Sequence, residues 1–133
     1  MDVRTKQVHE PASHEDGIRI LVDRLWPHGM TREEAKIVHW LRTIAPTTEL
    51  LRWFDHQPER WNEFRRRYYA ELSSSPAVEQ LRKIAFKKTV TLLYTSGDPR
   101  CNQAVALAAY IGAKRPDFIS VRAACHGTPR TLF

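Results

Sequence analysis

Asp16-Gly17-Ile18-Arg19-Ile20-Leu21-Val22-Asp23-Arg24-Leu25-Trp26-Pro27-His28-Gly29 is a glycine turn, then an apolar alternation, then a cluster of polar and aromatic groups. Ile18, Ile20 and Val22 fall on one face at a period of two, with Leu21 on the other, which predicts a strand over 18–24. Asp23, Arg24, Trp26 and His28 then lie at or just past its carboxyl end. Open α/β sheets hold their ligands at such strand ends, so the stretch marks a place without naming a reaction.

Working outward, residues 2–8 predict a first strand, and Pro11-Ala12-Ser13 with Asp16-Gly17 supplies the turn between the two. On the other side, Thr31-Arg32-Glu33-Glu34 reads as a capping box opening a short helix that ends before Pro46. Three helices follow. Thr47-Thr48-Glu49 opens one carrying Leu50, Trp53 and Phe54; Pro58 is placed as the first residue of one carrying Trp61, Phe64, Tyr68 and Leu72; Ser75-Pro76 opens one with Val78, Leu81 and Ile84. Thr89-Val90-Thr91-Leu92-Leu93-Tyr94 is uncharged, β-branched and aromatic, and suits a strand buried on both faces of a parallel sheet. Asp98-Pro99 is expected to cap a helix running to about Ile111 and stopped by Gly112, and Phe118-Ile119-Ser120-Val121 to form a last strand. The expected fold is α/β, a single three-layer domain with a small, mainly parallel sheet of three to four strands covered by helices. Residues 1–133 are expected to form one unit, with 114–133 as a C-terminal extension.

Composition sets the outer bounds. With 133 residues, 42% hydrophobic and 27% charged, the chain matches one ordinary globular domain rather than a disordered segment. No apolar run approaches the roughly 18 residues of a membrane helix, and Met1-Asp2-Val3-Arg4-Thr5-Lys6 has no apolar signal core, so a cytoplasmic location and no membrane partner are expected. Cys101 and Cys125 form no CxxC pair, which fits a reducing compartment. The net charge of +6 leaves nucleic acid open as a partner. Arg65-Arg66-Arg67 is the only basic triple, and it rides on a helix whose apolar residues sit at helical spacing. It reads either as a solvated helix face or as a phosphate-contacting patch.

Right-handed crossovers bring the ends of the 18–24 and 89–94 strands to one edge of the sheet. Asp23, Arg24, Trp26 and His28 then face Tyr94, Thr95, Ser96, Asp98 and Asn102. The Thr95-Ser96-Gly97-Asp98-Pro99 loop leads into a helix N-terminus, where exposed N–H groups suit an anion, although Ser96 or Asp98 can serve simply as a cap. Arg24, Trp26, Thr95, Ser96, Asp98 and Asn102 are thus the ligand-binding candidates. Asp23 can orient Arg24 or pair with it. Asp23, His28 and Cys101 are the weaker candidates for chemistry: His28 as an acid or base, Cys101 as a thiolate in a first helical turn. The histidines show no HxxxH or HExxH spacing and the loop no GxxxxGK[ST] or GxGxxG, so no metal and no cofactor are expected.

Across Pro11 to about Ile111 the chain resembles the YeaO-like proteins, bacterial members of domain of unknown function 488 (DUF488). The resemblance is carried by Asp16-Gly17 with Val22-Asp23-Arg24-Leu25-Trp26-Pro27-His28-Gly29, by Trp40-Leu41 and Ala45-Pro46, by Leu51-Arg52-Trp53-Phe54 with His56, by Pro58-Glu59-Arg60-Trp61 with Phe64 and Tyr68, and by Val90-Thr91-Leu92-Leu93-Tyr94 with Asp98 and Asn102. It implies an α/β domain with a polar site at Asp23, Arg24, Trp26 and the loop after Tyr94, and it brings no established activity. This chain has His28 where the family has arginine, Gly97 where lysine is expected, and Cys101-Asn102-Gln103 where a His-Asn-His run is common. The expected function is binding of an anionic small molecule or nucleotide at the strand ends. The alternative is a nucleic-acid-associated basic module or an interaction domain without catalysis.

Overall fold

The strand that begins at Ile18 leaves the ladder sooner than its alternation suggests. In the computed structural model, which describes residues 1–112, four strands form one sheet: β1 (Val3–Gln7), β2 (Ile18–Leu21), β3 (His39–Trp40) and β4 (Val90–Tyr94). All pairings are parallel, in the order β1-β4-β2-β3. β4 is therefore central, which explains why all five of its residues are buried. Its register places Val90 beside Val3 and Ile18, and Leu92 beside Thr5 and Ile20. Val22 still donates its N–H to the Leu93 carbonyl at 3.2 Å, after which Asp23 turns away toward the end of β4. The expected strand at 118–121 lies outside the described residues.

The capping box at Thr31 forms on both sides. The Thr31 hydroxyl accepts from the Glu34 N–H at 3.1 Å, and the Glu34 carboxylate accepts from the Thr31 N–H at 2.9 Å. The helix it opens is only one turn, α1 (Arg32–Ala35), closed by Lys36 at φ 53°, ψ 44°. The chain then extends through β-branched Ile37 and Val38 into β3, where the sequence pattern predicts more helix. Tertiary pairing decides this, because His39 and Trp40 add to the edge of β2 at Ile20 and Leu21.

The expected helices after Pro46 are α2 (Thr48–Phe54), α3 (Trp61–Leu72), entered through a 3-10 turn at Pro58–Arg60, and α4 (Pro76–Lys87). The last helix, α5 (Gln103–Gly112), begins later than Asp98-Pro99 suggests. Asp98 instead closes a separate turn by accepting from the N–H groups of Arg100 and Cys101 at 2.9 and 3.2 Å. Asn102 does the capping, its side-chain oxygen taking the Val105 N–H at 3.0 Å.

The two faces of the sheet are covered unequally. Ile20, Val22, Val90, Leu92 and Tyr94 face the main core, built with α2, α3, α4 and α5; Leu21, Leu93 and Val8 face a smaller one under Ala35 and Ile37. In the main core Phe54 stacks on Phe64 at 4.4 Å between ring centroids, and Phe64 on Trp61 at 5.7 Å. Full burial of such rings stabilises by about 1.5–3 kcal/mol each. The smaller face holds a buried polar knot. The Asp16 carboxylate accepts from Arg19 at 2.7 Å, from Lys6 at 3.1 Å and from the Ser13 N–H at 3.0 Å, while Thr91 donates its hydroxyl to the Asp16 carbonyl at 2.7 Å. Burial acts to raise the Asp16 pKa, but the Ser13 N–H and the two cations outweigh it and hold it below the usual value.

Candidate functional site

β2 and β4 are neighbours whose chains depart in opposite directions. After β2 the chain moves out to β3, whereas after β4 it enters α5, which packs over β1. Between such strand ends the departing loops separate and leave a crevice. A cavity of about 590 Å³ lies there, within the roughly 300–1,000 Å³ usual for small-molecule pockets.

Its floor is Asp23 and Arg24. The Asp23 carboxylate accepts from the Thr95 N–H at 3.1 Å, from the Thr95 hydroxyl and from the Gln103 side-chain amide. The end of β2 is thereby tied to the loop after β4 and to the first residue of α5. The Asp23 carbonyl accepts from the Trp40 indole at 2.8 Å, which fixes the β3 side as well. Asp23 is only 8% exposed. Burial is the dominant effect on its acidity, and although Thr95 and Gln103 oppose it, the pKa stays above the usual carboxylate value.

Arg24 leaves in the other direction. Its guanidinium donates to the Pro46 carbonyl at 3.2 Å and the Ala45 carbonyl at 3.1 Å, and it makes no ion pair among the described residues, so Asp23 and Arg24 do not bond to each other. The loop that holds it is itself held by α3. Buried Tyr68 donates its hydroxyl to the Ile44 carbonyl at 2.7 Å, and Glu71 takes both the N–H and the hydroxyl of Thr47, at 3.0 and 2.8 Å. Burial pushes the Tyr68 phenol well above its usual pKa, so it stays a donor.

The sequence candidates divide as follows. Arg24, Trp26, Thr95, Ser96 and Asn102 all line the cavity, together with Asp23, His28 and Cys101; Asp98 is not on its wall. Several of these groups have local tasks. Ser96 accepts from the Asp98 N–H at 3.1 Å, the Asn102 amide donates to the Asp98 carbonyl at 2.8 Å, and the Trp26 indole donates to the Met30 carbonyl at 2.7 Å while its ring meets Trp40 edge-on at 5.2 Å. The N–H groups of Arg100 and Cys101 are already taken by Asp98, so the turn before α5 presents a cap there rather than open donors. His28 is exposed at the rim. Cys101 is buried, precedes α5 rather than lying in its first turn, and offers no free thiol. Among the described residues no group of three or more His, Cys, Asp or Glu side chains is placed to hold a metal ion, and no helix is long and apolar enough to cross a membrane.

Residues not named as site candidates from the sequence complete the cavity: Leu51, Phe54 and Phe64 give it an apolar wall, Gln103 a second partner for Asp23, and His56 part of its rim. Asp55 and His56 both have positive φ, 48° and 53°. Consecutive non-glycine residues in that region store strain of a kind concentrated at functional sites. Helical periodicity assigns Phe54 and Phe64 to a core, where both are buried, and only the packing shows that they also border a cavity.

The arginine triple is largely engaged within its own helix. Arg65 is buried, lies over the Trp61 ring at 5.6 Å and donates to Asn62 at 2.9 Å. Arg66 and Arg67 share the Glu63 carboxylate, and Arg67 also covers the Trp53 ring at 4.2 Å.

Fold and crevice together define a small parallel α/β protein with a polar-floored, apolar-walled pocket at the switch point of its sheet. The match to known sequences is then specific: residues 2–117 match the family described as "Inactive DUF488-N3 subclade", and the chain belongs to this YeaO-like branch of DUF488. It is 38% identical over 112 residues to an uncharacterized protein of Mycobacterium tuberculosis, covering 84% of this chain and 95% of that one. It is likewise 38% identical over 112 residues to the uncharacterized protein YeaO of Escherichia coli, covering 84% and 97%. No solved structure matches the chain.

Proposed function

We propose that this protein binds an anionic small molecule or nucleotide in the crevice at the carboxyl ends of the 18–24 and 89–94 segments, with Arg24 as the anion contact. The observation that carries this reading is the state of Arg24. Its guanidinium is oriented by two backbone carbonyls and faces a cavity with no carboxylate bonded to it among the described residues. A preoriented guanidinium retains donors that suit a carboxylate or phosphate.

Binding without catalysis is the form of this reading that the side chains favour. Asp23 is engaged by three donors, His28 is exposed at the rim and Cys101 presents no free thiol. The subclade's description as inactive points the same way. A nucleic-acid surface has less support, because Arg65, Arg66 and Arg67 are engaged by Trp61, Asn62, Glu63 and Trp53.

The test is a thermal-shift screen against adenosine monophosphate, glucose 6-phosphate, simple carboxylates and a short single-stranded oligonucleotide, repeated with Arg24→Ala. A ligand at a hundredfold excess over its Kd stabilises by about 2.7 kcal/mol, or several degrees for a domain of this size. Stabilisation of the wild type that the variant loses supports the pocket. If nothing shifts the wild type, or the variant responds unchanged, Arg24 is not the anion contact.

A further inference from the structure

The cavity floor carries two opposite charges that do not meet. Past the end of β2 the Asp23 carboxylate reaches toward Thr95 and Gln103 while the Arg24 guanidinium reaches toward Ala45 and Pro46. Every one of these partners is neutral. Asp23 is nonetheless 8% exposed, and a buried carboxylate without a counter-charge is costly even when it is hydrogen-bonded. Thr95 and Gln103 provide three donors, while a carboxylate has about four lone-pair sites, so Asp23 can accept from one further donor. A phosphate dianion at Arg24 would face this buried negative charge as a neighbour. A ligand with a positive end would neutralise it.

We infer that the cavity takes a zwitterion with an apolar body, of which an aromatic or branched aliphatic α-amino acid is the simplest example. This rests on Arg24 as the anion contact and narrows what the anion belongs to. The ligand carboxylate meets Arg24, its ammonium meets Asp23, and its side chain lies against Leu51 and Phe54 on the apolar side of the cavity, with Phe64 packed behind them. A volume of about 590 Å³ accommodates a phenylalanine or leucine with room for water.

Isothermal titration of the wild-type chain with L-phenylalanine, L-leucine, 3-phenylpropanoate, 2-phenylethylamine and adenosine monophosphate tests this without depending on how any variant folds. Phenylalanine or leucine should bind, and phenylalanine should bind at least about tenfold more tightly than 3-phenylpropanoate, which lacks the ammonium, or 2-phenylethylamine, which lacks the carboxylate. In Asp23→Asn the preference for phenylalanine over 3-phenylpropanoate should disappear, while Arg24→Ala should weaken every carboxylate in the set. Equal binding of phenylalanine and 3-phenylpropanoate to the wild type, both lost in Arg24→Ala, overturns the zwitterion and leaves the anion pocket standing. Binding of adenosine monophosphate but of neither amino acid, again dependent on Arg24, has the same meaning. No binding of any probe to the wild type removes both.

Discussion

Gly17→Ala tests the turn that delivers β2, and with it Asp23 and Arg24, to the crevice. Gly17 has φ 66° and ψ −134°, a combination essentially confined to glycine, and holding another residue there costs about 1–3 kcal/mol. The steric effect adds to this. A Cβ would lie 2.1 Å from the Thr89 carbonyl oxygen and 2.7 Å from its carbon, so the backbone at the start of β4 must move. That same oxygen accepts the Ile18 N–H at 2.9 Å, a hydrogen bond of about 1 kcal/mol. Alanine restricts the unfolded chain, which returns about 0.4–1 kcal/mol. The net expectation is a loss of about 3 kcal/mol, read by urea unfolding as a fall in midpoint of about 1–2 M at unchanged slope. Gly97→Ala is the matched control, since apart from its chain neighbours no atom lies within 4 Å of its Cβ position, and it should change stability by less than about 0.5 kcal/mol. A Gly17→Ala loss under about 1 kcal/mol, or one no larger than the control's, would refute the reasoning.

Asp16→Asn should be strongly destabilising, by about 3–5 kcal/mol, because it leaves Arg19 buried without its ion-pair partner. The folded pKa of Asp16 is depressed, so its contribution is present above the unfolded carboxylate value of about 3.9 and is lost as pH falls through the folded pKa. Urea midpoints of wild type and variant should therefore converge below about pH 4; equal spacing at pH 3 and pH 7 would contradict it. Asp23 has the opposite sign: its folded pKa is raised, so stability present below the unfolded value is lost as pH rises through the folded one. Asp23→Asn should gain on the wild type between pH 4 and pH 7 in the same assay, and a variant that loses ground over that interval excludes the assignment. Tyr68→Phe removes the buried donor to the Ile44 carbonyl and should cost about 1–3 kcal/mol; a change under about 0.5 kcal/mol by urea unfolding would mean that this hydrogen bond does not hold the loop before α2.

Local rules were legible where local interactions decide. Thr31 with Glu34, and Thr47, mark helix starts because a cap satisfies backbone groups within a few residues, Ser75-Pro76 marks one because proline fits the first helical turn without a side-chain cap, and the uncharged run after Thr89 marks the central strand. Misreadings fall where a distant strand partner or a competing local contact overrides the expected pattern. His39 and Trp40 became a strand because the edge of β2 was open, and α5 starts at Gln103 because Asp98 and Asn102 form successive caps. Arg65 belongs to a charge run yet is buried over the ring of Trp61, one turn earlier on the same helix.

The sequence alone determined the α/β class, the family and the strand end at which polar residues collect, since alternation, capping and turn chemistry are written in neighbouring residues. The tertiary structure alone decided that Asp23 bonds to Thr95 and Gln103 rather than to Arg24, and that Phe54 and Phe64 reach a cavity. Asp23 lies 72 positions from Thr95 and 80 from Gln103. Partners so far apart along the chain leave no periodic signal, and only the sheet order brings them together.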